Sequence, residues 1–481
     1  MSILPEQLPA NLSLLDSDCL VELESRIRWL PNQRGTYLGR YDGQPALIKC
    51  YPRSCATAQR DFSRELKGVH ALTNNGITTP PLLYQGQLAE GHYCVITEFL
   101  IDSVALDSEF SVGEAHDRVL TDAHITSVGQ ALGEAIYSLH AVGLEQKDAH
   151  LGNFLYQNSV VWVVDGAGIA PIGRWFNRRK RLRNLALVLA QLPVTAGVLA
   201  QALVAGYGDD FTLIQIHVAV DRQRRRREQR YLRKTLRSCS EFKLTRHQRS
   251  RQLIRRDQLA EKDLQQVLSD LERAMAEGMS LKKGNSATLV KIRPGGRWLV
   301  IKRYNIKSVW HRLRRLLRTT RAARSWQNGY RLTMWGVRTP LPLAMVEQRF
   351  GPLRGRSYLV CEYTDMPGCS EYQYHPADDD PNGERLIKAL AGTVAALKSL
   401  GLSHGDLKAD NLKFDGQSLL LLDLDSLVRL RSRRQLHRST RGDCQRLLRN
   451  WVEDTAFADR LKAELDSRDT GFSAHTGFIN A

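Results

Sequence analysis

Hydrophobic and polar residues follow the same order twice along the 481 residues of the chain. Each half begins with short apolar runs, such as 95–99 and 359–363, which are typical of strands. Each half continues with segments whose apolar residues recur every three or four positions, such as 125–142 and 383–400, which predict helices. Strands followed by helices predict the α+β class, with a β-rich N-lobe and a helical C-lobe in each half.

Three short motifs recur in the second half at a nearly constant distance. The separations are 253, 260 and 258 residues. The pairs are ALIK at 46–49 and LVIK at 299–302, GITTP at 76–80 and GVRTP at 336–340, and KDAHLGN at 147–153 and GDLKADN at 405–411. A constant separation over three motifs predicts the tandem duplication of one domain.

The charge distribution indicates a join between the halves. The chain holds 69 Lys and Arg against 51 Asp and Glu, a net charge of +18, and residues 221–262 contribute +11 of it. We therefore predict domains at 1–215 and 240–481, joined by a basic helical linker at 216–239. Two interpretations of the basic stretch stay open: a solvated helix, or a surface that docks on anionic lipid or phosphate. No nucleic-acid-binding module accompanies the charge, so nucleic acid is not expected as a partner.

The apolar segment 185–205 is long enough to span a membrane. It contains Pro193, which cannot continue a single helix because it lacks a backbone N–H. Two buried helices of a globular lobe are therefore the favoured interpretation, and a membrane span is the alternative.

The second half carries the most informative motif, His-Gly-Asp-Leu-Lys-Ala-Asp-Asn at 404–411. Asp423 follows Asn411 by twelve residues at the end of an apolar run, and Lys302 lies in an apolar strand segment. Residues 283–290 predict a tight turn between two strands. These residue types in this order fit phosphoryl transfer, in which a few positioned groups orient the acceptor and neutralise charge.

Each of these residues has a predicted role. Asp406 would orient the acceptor hydroxyl and take its proton. Asn411 and Asp423 would hold Mg²⁺ through their oxygens. The remaining candidates, which would contact the nucleotide or the transferred phosphate, are Lys302, Gly284 and Lys408.

The first half supplies a second set in the same order. Asp148 is its candidate base, and Lys49 is its candidate nucleotide contact. Asn153 and Asp165, again twelve residues apart, are its candidate metal ligands. His150 stands where the second half has Lys408, either near the transferred phosphate or as a structural residue of the loop.

Together these motifs resemble the protein-kinase-like fold, whose catalytic loop contains His-x-Asp-x-x-x-x-Asn and precedes a metal-binding Asp. Residues 302–305, 325–329, 336–340 and 441–443 further resemble the bacterial lipopolysaccharide kinases, which phosphorylate heptose or Kdo sugars of the inner core. Tandem chains of this kind occur among pseudomonad core-assembly proteins. The resemblance implies ATP and Mg²⁺ as cofactors and the lipopolysaccharide core on lipid A as the acceptor.

The two halves depart from the kinase pattern in different ways. By the resemblance, Glu65 is the helix glutamate that pairs with Lys49, and the second half has Ser325 in its place. Gln146 replaces the motif histidine in the first half. The remaining departures are Asp165-Gly166-Ala167 and Asp423-Leu424-Asp425 in the metal loops, and Asn184 in the position of Asp443. One half is therefore a candidate degenerate partner.

The implied acceptor is assembled at the cytoplasmic face of the inner membrane. We therefore expect a cytoplasmic protein, peripheral on that anionic surface. The basic segment 312–324 has leucines at helical spacing, which fits either an interfacial helix or a helix that packs on its own lobe. The basic segment 174–183 would face an acceptor phosphate or solvent. The motifs leave the oligomeric state open.

Two other functions remain open. A kinase that acts on protein or on a small molecule would carry the same motifs, although no Ala-Pro-Glu triplet, typical of protein kinases, follows Asp165 or Asp423. A non-catalytic pseudokinase that organises core-assembly enzymes is the second alternative, and the altered metal loops favour it.

Overall fold

The computed structural model describes residues 10–30, 33–110, 121–173, 177–194, 196–247, 249–256, 261–305, 319–350, 353–372, 380–430 and 432–474. The chain is a mixed α/β structure that divides into two compact units. The first unit comprises 1–192 and 196–224, and the second comprises 193–195 and 225–481.

The first unit begins with an antiparallel sheet in the order β1-β2-β3-β4-β6-β5. These strands are β1 (Asn11–Leu12), β2 (Val21–Leu30), β3 (Arg34–Tyr41), β4 (Gln44–Tyr51), β5 (Leu82–Gln87) and β6 (Tyr93–Glu98). Successive side chains of β4 alternate between the two faces of the sheet. Ala46, Ile48 and Cys50 are buried in one apolar cluster, so Lys49 lies on the other face.

The rest of the first unit is mainly helical. Helix α3 buries Val128, Leu132, Ile136 and Leu139, whose spacing places them on one face. Its helices are α1 (Ala56–Asn74), α2 (Leu106–Glu109), α3 (Asp122–Ala141), α4 (Asn177–Leu189) and α5 (Gly197–Tyr207). Its short strands are β7 (Val104–Ala105), β8 (Leu144–Gln146), β9 (Phe154–Gln157), β10 (Val160–Val163) and β11 (Ile169–Pro171).

The apolar segment 185–205 forms parts of two helices, α4 and α5, and both bury leucines in the core of the first unit. This confirms the favoured interpretation of the segment. Among the residues that the structure describes, no helix has the length and apolarity needed to cross a membrane.

Helix α6 (Leu213–Lys234) contains the division between the two units, which falls between Arg224 and Arg225. The basic stretch 221–262 is not one continuous helix, because it goes on to a β-hairpin of β12 (Phe242–His247) and β13 (Ser250–Arg255). Within the second unit, α6 carries the buried carboxylate of Glu228. That carboxylate accepts hydrogen bonds from Arg331 Nε at 2.9 Å and Trp335 Nε1 at 3.1 Å, and it also pairs with Arg429.

The second unit has a seven-stranded antiparallel sheet in the order β12-β13-β17-β18-β16-β15-β14. Its further strands are β14 (Met279–Lys283), β15 (Ala287–Ile292), β16 (Leu299–Tyr304), β17 (Pro342–Phe350) and β18 (Leu353–Glu362). Leu299 and Ile301 of β16 are buried on one face of the sheet. Lys302 and Tyr304 therefore share the opposite face, because strand side chains alternate.

The rest of the second unit is mainly helical. Its helices are α7 (Glu261–Ser269), α8 (Leu271–Glu277), α9 (Arg321–Met334), α10 (Pro381–Ser399), α11 (Arg433–Leu448) and α12 (Thr455–Ala474). Leu386, Leu390 and Leu397 of α10 pack with Phe457 of α12 in the helical core. Four short strands complete the unit: β19 (Leu402–Ser403), β20 (Leu412–Phe414), β21 (Leu419–Leu421) and β22 (Val428–Arg429).

Candidate functional site

A cleft of about 300 Å³ in the second unit collects most of the candidate residues of that half. Lys302 Nζ donates to Asp423 Oδ1 at 2.6 Å, across 121 residues of sequence. The turn between β14 and β15 forms one wall, and it contains Gly284 as predicted. Asn411 also lines the cleft. The fold therefore brings together the predicted nucleotide contacts and the predicted metal ligands of this half.

Asp423 adopts a left-handed backbone conformation, with φ at +55°, and Asp165 does the same in the first unit, with φ at +66°. Such angles are uncommon outside glycine, and Asp is one of the residues that tolerates them. One residue separates each Asp from the end of a short strand, and that residue is bonded to the asparagine of the same unit: Leu422 N donates to Asn411 O, and Val164 N donates to Asn153 O. The backbone therefore fixes the direction of each carboxylate.

The Asn411 side chain connects the predicted metal site to the predicted base. Its Nδ2 donates to Asp406 O at 2.8 Å and to Asp406 Oδ2 at 3.2 Å. The amide nitrogen is therefore engaged, and the amide oxygen is the atom available as a metal ligand. Lys408 Nζ lies 4.0 Å from Asp406 Oδ2, so this lysine stands beside the predicted base.

The donor set fits Mg²⁺, which binds oxygen ligands and usually takes only one or two from the protein. Asp423 and Asn411 supply that number, and phosphate oxygens and water would supply the rest. Among the described residues, no group of three or more His, Cys, Asp or Glu is placed to hold a metal by itself.

Asp443 anchors residues 403–405, where the predicted catalytic loop of the second unit begins. This buried carboxylate accepts hydrogen bonds from Ser403 Oγ at 2.7 Å, His404 N at 2.9 Å and Gly405 N at 3.1 Å. His404 donates from Nε2 to Leu422 O at 2.9 Å, which ties the loop to the residue just before Asp423. The sequence singled out Asp443 only through the family resemblance, and the structure supplies its role as an anchor.

The first unit assembles a related ion-pair cluster. Lys49 Nζ lies 2.5 Å from Glu65 Oε1 and 3.4 Å from Asp165 Oδ1. The second oxygen of Glu65 accepts a hydrogen bond from Ala167 N at 3.0 Å. Arg34, which sequence reasoning missed, lies 3.8 Å from Asp165. Glu65 therefore joins β4, α1 and the metal loop of this unit.

The glycine of Asp165-Gly166-Ala167 is required sterically, because this loop lies directly against helix α1. A Cβ atom on Gly68 of α1 would lie 1.8 Å from Gly166 O, and a Cβ on Gly166 would lie 2.4 Å from Glu65 O. Only glycine at both positions allows the helix and the loop to approach this closely. This approach is what brings Glu65 within reach of Ala167 N.

Gln146 makes the same kind of bond that His404 makes in the second unit. Its Nε2 donates to Val164 O and to Asp165 O, both at 3.3 Å. Val164, like Leu422, directly precedes the metal-loop aspartate. The replacement of histidine by glutamine therefore keeps the connection between the two loops.

The predicted catalytic loop of the first unit holds its asparagine through a bond to the backbone of the candidate base. Asn153 Nδ2 donates to Asp148 O at 2.7 Å, which matches the bond of Asn411 to Asp406 O. His150 Nδ1 accepts from Gly152 N at 3.1 Å and lies 3.6 Å from Asp107, which favours its structural interpretation. Asp148 itself is exposed.

Asn184 contributes one bond to this loop, from its Nδ2 to Gln146 O at 2.8 Å. Its Oδ1 accepts from His140 Nε2 at 3.1 Å, so Nδ1 of the neutral ring accepts from Tyr207 OH at 2.9 Å. Burial lowers the pKa of His140 to about 4, although the hydrogen bond to Asn184 partly opposes that effect. A neutral network thus occupies the place where the second unit has the Asp443 carboxylate.

The two metal-loop aspartates are held in the charged form. Burial by itself would raise the pKa of Asp423, but Lys302 lowers it below the ordinary value, with help from Arg321 and His404. Burial likewise opposes the effect of Lys49, Glu65 and Arg34, which together lower the pKa of Asp165. Both carboxylates are therefore ionised at neutral pH, as a metal ligand must be.

Two residues of α9 connect this helix to the metal loop of the second unit, as Glu65 connects α1 to the metal loop of the first. Asn328 Nδ2 donates to Leu424 O at 2.8 Å and to Leu427 O at 2.9 Å. Arg321 pairs with Asp425 in the same loop. Ser325, the residue aligned with Glu65, instead bonds Tyr304 OH through its Oγ at 2.9 Å.

Parts of the predicted basic segments lie outside the described residues. These parts are 312–318 of the segment 312–324 and 174–176 of the segment 174–183. The remainder of the second segment belongs to α4.

Comparison with known proteins finds one family match, within the second unit. Residues 276–468 match the model of the Lipopolysaccharide kinase (Kdo/WaaP) family. No curated protein is significantly similar to the chain in sequence. The matched span contains the cleft, from the turn at Gly284 through Lys302 to Asn411 and Asp423.

Solved protein-kinase domains are similar only remotely. The kinase domain of Mycobacterium tuberculosis PknI is 15% identical, with a TM-score of 0.30 over 45% of this chain and 99% of that chain. The BubR1 kinase domain is 17% identical, with a TM-score of 0.28 over 35% of this chain and 52% of that chain. Scores this low carry no argument about the site. The family model is the specific finding: residues 276–468 of the chain match the lipopolysaccharide kinase (Kdo/WaaP) family, and the chain is a phosphotransferase.

Proposed function

We propose that the chain uses ATP and Mg²⁺ to phosphorylate a hydroxyl group of heptose or Kdo in the lipopolysaccharide inner core. The observation that supports this most strongly is the cleft of the second unit, where Lys302 pairs with Asp423 at 2.6 Å and Asn411 holds Asp406. This cleft lies within the segment that matches the lipopolysaccharide kinase family.

The nucleotide would lie between the β14–β15 turn and the metal loop. Lys302 would move its hydrogen bond from Asp423 to a phosphate oxygen, because a lysine ammonium has three donors and pairs well with phosphate. The backbone at Gly284 would approach the phosphates, since the residue has no side chain to obstruct them. Asp423 and Asn411 would hold Mg²⁺, which would supply neutralisation of the phosphate charge.

Asp406 would orient the acceptor. Its carboxylate would accept the proton of the sugar hydroxyl as the hydroxyl oxygen forms its bond to the γ-phosphorus. The bond between the γ-phosphorus and the bridging oxygen of ADP breaks in the same displacement. Lys408, 4.0 Å from this carboxylate, would stabilise the negative charge on the transferred group.

We propose that both units are kinase-like domains and that the second one performs the reaction. Similar local geometry supports the first part: both metal-loop aspartates are left-handed, and both loop asparagines bond the carbonyl of the candidate base. The contacts of Asp443 support the proposal that the second unit performs the reaction. Asp443 accepts three hydrogen bonds from its loop, whereas Asn184 donates one.

The acceptor class would place the protein at the cytoplasmic face of the inner membrane, bound peripherally. The net charge of +18 supports attraction to that anionic surface and to the phosphates of the core.

The direct test is transfer of labelled phosphate from ATP to purified core oligosaccharide that lacks the phosphate, with generic protein as the rival acceptor. We expect label on the sugar, dependent on Mg²⁺. Asp406→Asn should lower the rate by about 10²-fold or more, while Asp148→Asn should leave it nearly unchanged. Label on protein alone would favour the protein-kinase alternative. No transfer, together with no binding of ATP, would favour the pseudokinase scaffold.

A further inference from the structure

Arg321, the first residue of α9, lines the cleft of the second unit and contacts three separate elements around it. Its Nε donates to Asp425 Oδ2 at 2.6 Å, and its Nη1 donates to Ser286 O at 3.1 Å. Its guanidinium also lies over the ring of Tyr304, 5.0 Å from the centroid. One side chain thus joins helix α9, the metal loop, the β14–β15 turn and strand β16.

The partner of Arg321 is a buried carboxylate. The Asp425 side chain is only 4% exposed, and that of Arg321 is 20% exposed. A buried charge of this kind needs its partner, because an unpaired charge in the interior is costly. The guanidinium is planar and presents several donors in fixed directions, so it can bond Asp425 and Ser286 O at the same time.

The corresponding connection in the first unit has the opposite polarity. There the carboxylate is on the helix, at Glu65, and it joins Lys49 to the metal loop through Ala167 N. In the second unit the cation is on the helix, at Arg321, and the carboxylate is in the metal loop, at Asp425. Ser325 cannot replace Glu65, because its hydroxyl is engaged with Tyr304 and carries no charge.

We propose that Arg321 is a positioning residue that performs, with reversed polarity, the task of the absent helix glutamate. By holding Asp425 it fixes the metal loop, and thereby the direction of Asp423 two residues earlier. By holding Ser286 O it fixes the turn that would cover the nucleotide phosphates. Arg321 does not take over the pairing of Glu65 with the strand lysine: Lys302 pairs with Asp423 and lies 5.2 Å from the Tyr304 ring. Only the expected effect on the kinetics of phosphate transfer rests on the proposed function.

The test compares Arg321→Met, Arg321→Lys, Asp425→Asn and the double variant Arg321→Met/Asp425→Asn in the full chain. Arg324→Met, the same change one turn further along α9, is the control. Steady-state transfer to core oligosaccharide gives kcat and KM for ATP. Hydrogen exchange of 423–427 and 284–288 reports loop order, with α10 and α12 as internal references. Circular dichroism confirms that each variant is folded.

We expect Arg321→Met to lower kcat about 100-fold, since small misplacements of reacting groups have effects of this size. KM for ATP should change much less, and Arg321→Lys should recover part of the loss. The double variant should be no worse than the more impaired single variant, because both changes remove one interaction. Exchange should become faster at 423–427 and 284–288 but not in α10 or α12.

Three results are decisive. If Arg321→Met keeps the kcat and exchange of Arg324→Met, the inference is wrong. If the losses of the single variants multiply in the double variant, Arg321 acts directly on the nucleotide, and the positioning role is wrong. If the wild type transfers no phosphate to sugar but exchange at both loops still accelerates in Arg321→Met, the positioning role is supported and the proposed substrate fails.

Discussion

Lys302 and Asp423 pair with each other at 2.6 Å, whereas Lys49, the lysine of the matching motif, lies closer to Glu65, at 2.5 Å, than to Asp165, at 3.4 Å. Lys302 therefore forms its ion pair with the residue that we propose as a metal ligand. Binding of nucleotide and metal would have to separate Lys302 from Asp423. Lys49 would keep its ion pair with Glu65 whether or not nucleotide and metal are bound.

Replacement of each lysine should identify the unit that performs the reaction. Lys302→Met should lower transfer to core oligosaccharide by about 10²–10³-fold, the usual effect of losing one charge-stabilising donor. Lys49→Met should leave transfer within a few-fold of the wild type. The measurement is initial rate at saturating ATP. A loss confined to Lys49→Met would assign the reaction to the first unit instead.

Asp443→Asn should impair the reaction indirectly, through the segment 403–405. The amide would present a donor to the hydroxyl and backbone N–H groups that now donate to Asp443, so the segment 403–405 should lose its alignment. We expect kcat to fall about tenfold to 100-fold, with a smaller change in KM for ATP. Asp459→Asn, on the exposed face of α12, is the matched control. Equal activity of the two variants would refute the anchoring role.

Acidification should destabilise the first unit through His140. Its pKa is about 4 in the fold and near 6.5 in the unfolded chain, so the unfolded state binds more protons between these values. Stability is therefore complete above about pH 6.5 and is lost as pH falls toward 4, by up to about 3 kcal/mol. Hydrogen exchange of α3, corrected for intrinsic rates, measures this free energy of local unfolding.

The matched variant for that experiment is His140→Gln, which keeps amide donors and acceptors but does not titrate. Its α3 stability should depend less on pH between 6.5 and 4 than that of the wild type. The same pH dependence in both proteins would show that another group is responsible.

Gly68→Ala should separate helix α1 from the metal loop of the first unit. The added Cβ would lie 1.8 Å from Gly166 O, a backbone atom that cannot move away without moving the loop. We expect the free energy of unfolding of this unit to fall by about 1–3 kcal/mol, as for other overpacked sites. The readout is hydrogen exchange at 165–168. Gly197→Ala, which meets nothing within 4 Å, should cost nothing; similar losses in both variants would contradict the steric argument.

The sequence alone was sufficient for the elements around the site. The turn at 283–290 and the strand that carries Lys302 were predicted and are confirmed, and so are the two helices on either side of Pro193. These features depend on local patterns: alternation in strands, helical spacing of apolar residues, and a proline that breaks a helix. The resemblance to the lipopolysaccharide kinases, which residues 276–468 match, followed from motifs that are contiguous in sequence.

The connections between those elements were not predictable from local patterns. Arg321 and Asp425 are 104 residues apart in sequence, and nothing near either residue marks it as a partner of the other. The Gly68–Gly166 approach and the role of Gln146 likewise depend on which backbone atoms lie opposite each other in the fold. The sequence by itself determined which residue types and elements are present. Only the tertiary structure decided which charges meet, because ion pairs and close approaches are set by distances in space rather than along the chain.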